Sequence, residues 1–415
     1  MRGYILQTAQ MKVLIISTFD DMGGAAIAAR RLSDALNANG IEASILSRRS
    51  LPLPLWKKKW GGVPAVIERL GIFLANGMSL RNLFAIDTAA CGEDVTETKA
   101  FREADVINLH WINQGFVSLK ELCKILCSGK KVVWTMHDAW PTTGICHLTL
   151  GCDNFTRECG NCKYLRRKGG DDLSHSVWKK KKALFSQHDI TFVTCSRWLY
   201  GEAMRSSLLG DRKVTVIPNP IDTAYYAPQD RTACRSSLNL PQDKKLLLFV
   251  AQSVSNPYKG MDYLAEAVNR MGDKNVELVM LGGKETGMAE RMNTTRVHVM
   301  GYVNDADTIR KVYSAADAFV LPSLSENLPN TIMEAMACGT PCVGFNVGGI
   351  PEMIDHLENG YVADYKDATS LAEGIRFVTA EGNAERLSEA AREKAVRCYG
   401  EKSVAERYGK VYEEQ

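Results

Sequence analysis

Two glutamates, Glu326 and Glu334, stand on either side of a predicted helix start and have the residue type and spacing to bind one ligand. They follow an apolar, strand-like run that ends at Leu321, and the helix is predicted over residues 331–337. Pro329 suits the entry to this helix, and Asn330 suits its N-cap. A helix start presents unpaired N–H groups and the positive end of the helix dipole, which favour a phosphate. The sequence therefore predicts an anionic ligand here, with each carboxylate reaching a different part of it.

Other polar groups and glycine turns follow predicted strands. Lys259 comes after the strand Leu246–Val250, and His137 stands at the end of the strand over 132–135. His110, at the end of the preceding strand, is a weaker candidate. Gly348-Gly349 opens another helix start that would hold the same anion. Gly23-Gly24 would let the backbone approach a ligand, because glycine has no side chain to block it.

Four cysteines and a histidine lie within 17 positions, as Cys146-His147-x4-Cys152-x6-Cys159-x2-Cys162. Such a set would suit a tetrahedral structural zinc, although only the last pair has tight ligand spacing. A disulfide pair and unligated thiols are the alternatives, and the pattern alone does not choose among them. Other cysteines, including Cys123 and Cys127, are interpreted as small core residues.

The elements that would position these groups alternate between short apolar runs and amphipathic stretches. Apolar runs separated by helices are typical of parallel sheets covered on both faces. The predicted fold class is α/β, with two Rossmann-like doubly wound domains facing a cleft. The predicted strands are Val13–Ile16, Ala43–Leu46, Val106–Leu109, Val132–Thr135, Phe192–Cys195, Val214–Ile217, Leu246–Val250, Glu277–Leu281, Val297–Met300, Ala318–Leu321 and Cys342–Phe345. The predicted helices are Ala25–Asn39, Ser118–Cys127, Met261–Arg270, Asp305–Ala315, Asn330–Ala337 and Ser370–Ala380.

A length of 415 residues favours two domains, and the break is predicted where two prolines interrupt the chain near 218–222. We expect an N-terminal extension over 1–10, a first domain over 11–220 with a Cys-rich insertion at 144–170, and a second over 221–394. A C-terminal helix over 395–415 is expected to cross back to the first domain. The first ten residues lack the apolar stretch of a signal peptide, so a cytoplasmic protein with reduced thiols is expected.

The segment from Ala315 to Gly349 closely resembles the Glu-x7-Glu region of retaining glycosyltransferases of family four, which have the GT-B fold. The resemblance rests on the runs AADAFVLPS, EAMACGTP and Gly348-Gly349. It extends to Lys259-Gly260, to Gly23-Gly24 and to the interdomain run PNPID, where Pro220 replaces a glycine. It covers the chain from Met11 onward. Cys-His insertions after the His-Asp motif occur in a subset of this family.

The resemblance implies a role for each matching residue. Glu326 and His137 would act at the donor sugar, Glu334 would bind the ribose, and Lys259 would bind the diphosphate. The backbone of Asn327, Leu328, Pro329 and Asn330 would serve the sugar and diphosphate, and Gly23 and Gly24 the diphosphate or the acceptor. Many members also carry an arginine just before the lysine, and this chain has none between Ala251 and Lys259.

The implied reaction is metal-independent transfer, with retention, from a nucleotide-sugar donor, most simply a UDP- or GDP-sugar. The acceptor would be a glycan or a lipid-linked sugar in bacterial surface polysaccharide biosynthesis. Alternatives are another GT-B enzyme, such as a sugar-nucleotide epimerase or phosphorylase, and a non-catalytic nucleotide- or zinc-binding protein. An oxidoreductase is disfavoured because the first glycine loop lacks Gly-x-Gly-x-x-Gly.

Partners are constrained by charge. A net charge of +3 does not indicate nucleic acid as a partner. The segment Leu51–Leu83 holds the lysine run Lys57–Lys59 and an apolar stretch over 63–78. It predicts either peripheral contact with an anionic membrane, at the inner face of the plasma membrane, or a plain insertion. The run Lys179–Lys182 is interpreted as a solvated helix face.

Overall fold

The computed structural model describes residues 11–51, 62–251, 256–283, 291–293 and 295–414. The expected extension over 1–10 and the lysine run Lys57–Lys59 lie outside the described residues, as do residues 252–255 ahead of Lys259. The chain divides into two compact units. One contains the residues up to Pro220 and those from Val404 onward, and the other contains Ile221–Ser403.

The first unit is built on six short strands, most of them apolar on both faces. They are β1 (Lys12–Ile16), β2 (Glu42–Leu46), β3 (Val106–Leu109), β4 (Lys131–Met136), β5 (Thr191–Thr194) and β6 (Val214–Val216). All pair in parallel, in the order β2-β1-β3-β4-β5-β6. Its helices include α1 (Gly24–Ala38), α2 (Val63–Ala75), α3 (Lys99–Glu103), α4 (Leu119–Leu126), α5 (Leu173–Gln187) and α6 (Arg197–Arg205).

The second unit repeats this plan. Its strands are β7 (Lys245–Val250), β8 (Val276–Leu281), β9 (Val297–Gly301), β10 (Ala318–Leu321), β11 (Cys342–Phe345) and β12 (Gly360–Ala363). They form a second parallel sheet in the order β12-β11-β10-β7-β8-β9. Its helices include α7 (Arg231–Ser237), α8 (Met261–Met271), α9 (Ala306–Ala315), α10 (Asn330–Ala337), α11 (Ile350–Met353), α12 (Ala368–Val378) and α13 (Ala384–Tyr399).

The two sheets confirm the predicted α/β fold class. Every predicted strand is present, and no end differs from its predicted position by more than one residue. One strand, β12, was not predicted, because its four residues begin with glycine and are only partly apolar. The C-terminal segment was expected as one helix over 395–415. The structure instead has α13 ending at Tyr399 and a separate helix α14 (Glu401–Glu413) after Gly400.

Each sheet has one point at which the strand order reverses. In the second unit the chain builds β7, β8 and β9 in one direction and then returns to place β10 on the other side of β7. In the first unit β1 and β3 flank the corresponding point. Loops leaving the carboxyl ends of such neighbouring strands diverge, and the crevice between them is where ligands bind in open α/β sheets. The candidate ligand sites are therefore the loops that follow β7 and β10 and the loops that follow β1 and β3.

Candidate active site

Lys259 and Glu326 meet in the second unit, beyond the carboxyl ends of the adjacent strands β7 and β10. The Lys259 ammonium donates to Glu326 Oε1 at 2.5 Å. Lys259 ends a short 3-10 turn after β7, whose first residue, Pro257, follows the capping side chain of Asn256. Both side chains are partly exposed, so a ligand can reach them. The structure therefore brings together two residues that lie 67 positions apart in sequence and were predicted to share a site.

Two glycines fix the backbone that carries this pair. Gly260 has φ +70°, and a Cβ placed on it would lie 1.7 Å from the carbonyl oxygen of Pro322. Gly348 has φ +59°, and its Cβ would lie 1.7 Å from the carbonyl oxygen of Glu326. Only glycine allows both the left-handed backbone and these close approaches. The loop between β10 and α10 is therefore held from two sides, next to the turn that carries Lys259.

Glu334 is buried in α10 and has a partner that the sequence did not suggest. The Tyr313 hydroxyl, from α9, donates to Glu334 Oε2 at 2.8 Å. Burial and the nearby Glu334 charge raise the pKa of Tyr313 well above its ordinary value, so the phenol keeps its proton. Tyr313 thereby orients the Glu334 carboxylate. The only sequence signal for this role was the place of Tyr313 in a predicted helix, next to the apolar Val312.

The N-terminus of α10 lies at Asn330, where one of the two predicted ranges begins and one residue before the start of the other, 331–337. The helix begins at Asn330 and its N-cap is Pro329, so the prediction of Asn330 as N-cap was wrong. No side chain caps this end, and proline accepts nothing through its side chain. The N-cap residue of α10 therefore supplies no side-chain acceptor to the first N–H groups of the helix. Asn327 and Leu328 precede this end in the held loop.

In the first unit His137 lies at the carboxyl end of β4 and pairs with His110 from the neighbouring β3. His110 Nδ1 and His137 Nε2 are 2.8 Å apart. The pair requires one ring to donate and the other to accept, which two protonated rings cannot do. Burial lowers the pKa of His137 to about 4 and that of His110 well below its ordinary value. Both imidazoles are therefore neutral near pH 7.

A pH dependence of stability follows from His137. Its folded-state pKa lies below 6.5, so the unfolded chain takes up the proton first as the pH falls. Stability from this group is complete above pH 6.5 and is lost towards pH 4, by at most about 3 kcal/mol. We expect urea unfolding to show a smaller loss of stability between pH 7.5 and pH 4.5 in His137→Gln than in the wild type. An equal loss in both proteins would contradict the assignment.

His147 was grouped with the cysteines in the sequence, but the structure places its imidazole between two carboxylates. Nδ1 lies 2.7 Å from Asp138 Oδ2, and Nε2 lies 2.7 Å from Asp87 Oδ2. Asp138 also accepts from the indole of Trp111 at 2.8 Å. His147 is thus a member of the network that fixes Asp138, next to His137, and its expected place beside the thiols was wrong.

Gly23 and Gly24 lie at the start of α1, after β1. Gly23 is the N-cap with φ +89°, and no side chain caps this helix. A Cβ on Gly23 would meet nothing within 4 Å, so backbone conformation is what requires glycine there. The helix starts one residue earlier than predicted, at Gly24. The carboxyl end of β1 thus leads into the N-terminus of α1 in the first unit.

The four clustered cysteines, Cys146, Cys152, Cys159 and Cys162, line one cavity of the first unit. Burial raises the pKa of Cys146 to about 12 and that of Cys159 to about 11, so both are protonated thiols without a metal. Among the residues that the structure describes, no three of these sulfurs lie within 4.8 Å of one another. The zinc assignment at this cluster therefore stays a prediction.

Two other sequence interpretations were wrong. Lys181, from the expected solvated run 179–182, is fully buried. Its ammonium donates to the carbonyls of Trp140 at 2.7 Å and Thr143 at 3.0 Å and lies 3.2 Å from the centroid of the Trp140 ring. Cys127, expected in the core, is exposed. A run of lysines does not show which lysine is buried. An apolar helix does not show which of its cysteines is exposed.

Two family models match the chain in succession. The model for glycosyltransferase family 4 matches residues 22–225, and the model for glycosyl transferases group 1 matches residues 244–381. An uncharacterized glycosyltransferase of Methanocaldococcus jannaschii is 26% identical, over 85% of this chain and 96% of that protein. A D-inositol 3-phosphate glycosyltransferase of Actinosynnema mirum is 32% identical, over 41% of this chain and 46% of its own length.

Solved structures of low identity share the fold. Sucrose-phosphate synthase from Thermosynechococcus elongatus has a TM-score of 0.67 at 19% identity, covering 97% of this chain and 98% of that one. Anabaena HepE in complex with UDP-glucose has a TM-score of 0.62 at 16% identity, covering 97% and 99%. These solved structures and the present chain share two parallel sheets with flanking helices, which define the GT-B fold. The chain belongs to the glycosyltransferases of the group 1 and family 4 type.

Proposed function

We propose that the protein transfers a sugar from a nucleoside-diphosphate donor, with retention of anomeric configuration and without a catalytic metal. The observation that carries the proposal is the Lys259–Glu326 pair, held at the reversal point of the second sheet in the loops that lead to α8 and α10. A cation and the N-terminus of a helix suit a diphosphate, and carboxylates suit sugar hydroxyls. The UDP-glucose bound to HepE, a protein of the same fold, supports a UDP-sugar as donor.

In this proposal each residue has a distinct task. Lys259 turns from Glu326 to the diphosphate when the donor binds, and Glu326 is released to the donor sugar. Glu334, oriented by Tyr313, accepts from the ribose hydroxyls. The backbone from Asn327 to Asn330 binds the sugar and diphosphate. In the first unit, His137, with Gly23 and Gly24, is proposed to bind substrate.

The proposed reaction needs no covalent enzyme intermediate. The bond between the anomeric carbon and the diphosphate oxygen breaks, and the acceptor oxygen bonds to that carbon on the same face. The acceptor proton passes to the departing phosphate oxygen. Negative charge grows on the diphosphate as the bond breaks, and Lys259 and the α10 N–H groups stabilise it. These groups supply the charge that a divalent cation would otherwise provide.

The test has two parts. A thermal-shift panel of UDP-, GDP-, ADP- and CMP-sugars identifies the donor, because a ligand of the folded state raises the apparent melting temperature. NMR of the product with that donor and EDTA present then reports the anomeric configuration. Retention without metal is expected, and Glu326→Gln should still show the thermal shift but lose transfer. An inverted product, or a requirement for added metal, would overturn the proposal.

For the acceptor we propose a lipid-linked sugar or glycan at an anionic membrane, as in bacterial surface polysaccharide synthesis. The support is one face of α2, where Val66, Ile67, Leu70 and Leu74 are each at least half exposed. These positions fall within about 100° of the helix circumference, since each residue turns the helix by that angle. Glu68 and Ile72 on the opposite face are buried. No helix of the described residues is long and apolar enough to span a membrane.

Basic residues lie next to the C-terminal end of α2. The Asn76 side chain, at the end of α2, accepts from the backbone N–H groups of Arg166 at 2.6 Å and Arg167 at 3.4 Å. Arg166, Arg167 and Lys168 are exposed. An apolar face with cations near it complements an anionic lipid surface. The apolar side chains insert among the lipids, and the cations are attracted to the anionic headgroups.

We expect the protein to float with vesicles of phosphatidylglycerol in a sucrose gradient, and to remain at the bottom with phosphatidylcholine alone. Leu70→Glu/Leu74→Glu should remove the binding, because it places two charges on the apolar face. Substitutions at exposed positions usually change stability little, and Leu357→Glu, at an exposed leucine of the second unit, is the control. Equal flotation of all three proteins would contradict the membrane assignment.

A further inference from the structure

A second set of metal-ligating side chains lies on the surface of the first unit, away from the four-cysteine cavity. It consists of Cys123, Cys127 and His188, and we call it the α4–α5 cluster. The two Sγ atoms are 4.0 Å apart, and the two sulfurs and an imidazole nitrogen all lie within 4.8 Å of one another. Across the described ranges of the chain it is the one group of three or more His, Cys, Asp or Glu side chains with this geometry.

The local sequence explains why these three groups meet. Cys123 and Cys127 are four positions apart at the end of α4, so they share one face of the helix. His188 follows Gln187 and is the C-cap of α5, which packs against α4. Cys123 and His188 are partly buried, and Cys127 is exposed. Helix periodicity and helix packing thus present two thiols and one imidazole to a common point that solvent can reach.

We propose that the α4–α5 cluster binds one zinc ion through both sulfurs and the imidazole, with water as the fourth ligand. Two sulfurs bound to zinc at about 2.3 Å in a tetrahedron stand about 3.8 Å apart, close to the separation observed here. Thiolate and imidazole are the ligands that zinc prefers, and three protein ligands with one open position form a known class of zinc site. Binding converts the two thiols to thiolates and releases their two protons to solvent.

A disulfide between the same cysteines fits the structure less well. Residues one turn apart on a helix have Cβ atoms about 5–6 Å apart, whereas a disulfide needs about 3.5–4.5 Å. Closing that bond would distort the end of α4, while a metal ion between the sulfurs spans the observed gap. The zinc would also join α4 to α5. Because 60 residues of chain separate Cys127 from His188, this link would stabilise the first unit.

The geometry also separates this cluster from the cavity that the sequence indicated. Spacing drew attention to Cys159 and Cys162, but within the described residues no three sulfurs of their cavity lie within 4.8 Å of one another. Cys123 and Cys127 lie in an ordinary helical pattern, and the third ligand is remote in sequence. Only the packing of two helices reveals the set. The two locations make opposite predictions for which substitutions remove bound metal.

The experiment is zinc analysis of the full chain, purified without a histidine tag, stripped with EDTA and dialysed against zinc and then metal-free buffer. We expect about one zinc per chain, the stoichiometry of a single site, in the wild type and in Cys159→Ser. Cys127→Ser and His188→Ala should each lose it. Cys398→Ser, a partly buried cysteine of the second unit, is the matched control and should keep it.

Cobalt in place of zinc gives a second readout. Thiolate ligation produces a sulfur-to-cobalt charge-transfer band, which should disappear in Cys127→Ser and persist in Cys159→Ser. Circular dichroism of each variant checks that the surface substitutions leave the fold intact. Retention of zinc in Cys127→Ser with its loss in Cys159→Ser would overturn the proposal, as would absence of zinc from the wild type. Neither result bears on sugar transfer, which is proposed to need no metal.

Discussion

Lys259→Met is expected to lower kcat/KM for sugar transfer by about 10²–10³-fold, the effect of removing one preorganised stabiliser of transition-state charge. Methionine keeps the length and apolar stem of lysine but has no ammonium. The variant loses the cation that faces the diphosphate and leaves Glu326 without the partner it has at 2.5 Å. This chain has no arginine between Ala251 and Lys259 to share the task, so the loss should be large. Steady-state kinetics with the donor found by the thermal-shift panel measures it.

A pairwise comparison separates the two roles of Lys259. If the ammonium serves mainly to hold Glu326, then Lys259→Met should add little to Glu326→Gln. If it binds the diphosphate, the double variant should be weaker than either single variant. Lys274→Met, exposed at the other end of the same sheet just before β8, is the matched control and should leave activity unchanged. Loss of less than about tenfold in Lys259→Met would contradict a central role in charge stabilisation.

The sequence predicted the elements around these residues well because the signals were local. Buried parallel strands are short apolar runs, and β3 and β10 appear at the predicted residues. The pairing of Lys259 with Glu326 was also within reach, since both follow strands of a sheet with one reversal point. The resemblance to a family supplied the roles that composition and periodicity did not contain.

The sequence could not show contacts that depend on packing between distant segments. His147 lies next to Cys146 in sequence, yet its imidazole reaches Asp87, 60 positions away. Tyr313 orients Glu334 from another helix. A run of four lysines gives no sign that Lys181 alone turns inward. In each case the partners come from segments distant in sequence, and the path of the backbone decides which of them the side chain meets.

The positions of Gly260 and Gly348 belong to the same class of information. A glycine in sequence signals a turn, but not what its missing side chain makes room for. Gly348 has φ +59° against the carbonyl of Glu326, and Gly260 has φ +70° against that of Pro322. The conformation of the loop that carries Glu326 therefore depends on the absence of a Cβ at Gly260 and Gly348. This arrangement makes a methyl group a sensitive probe of the site.

Gly348→Ala is expected to lower kcat/KM by at least about 10²-fold, because a shift of about 1 Å in a reacting group costs that much. The new methyl group would stand 1.7 Å from the Glu326 carbonyl oxygen, so the loop must move and carry the carboxylate with it. The left-handed backbone adds about 1–2 kcal/mol of strain for a residue with a Cβ. Kinetics together with urea unfolding of the same variant measures both effects.

Gly272→Ala separates strain from collision. Gly272 has φ +60°, almost the conformation of Gly348, but a Cβ there would meet nothing within 4 Å. Both variants should therefore lose a similar amount of stability from strain, and only Gly348→Ala should lose transfer. Gly260→Ala should behave like Gly348→Ala, because its methyl group would push Pro322 at the start of the same loop. Full activity in Gly348→Ala would show that transfer does not depend on where this loop holds Glu326.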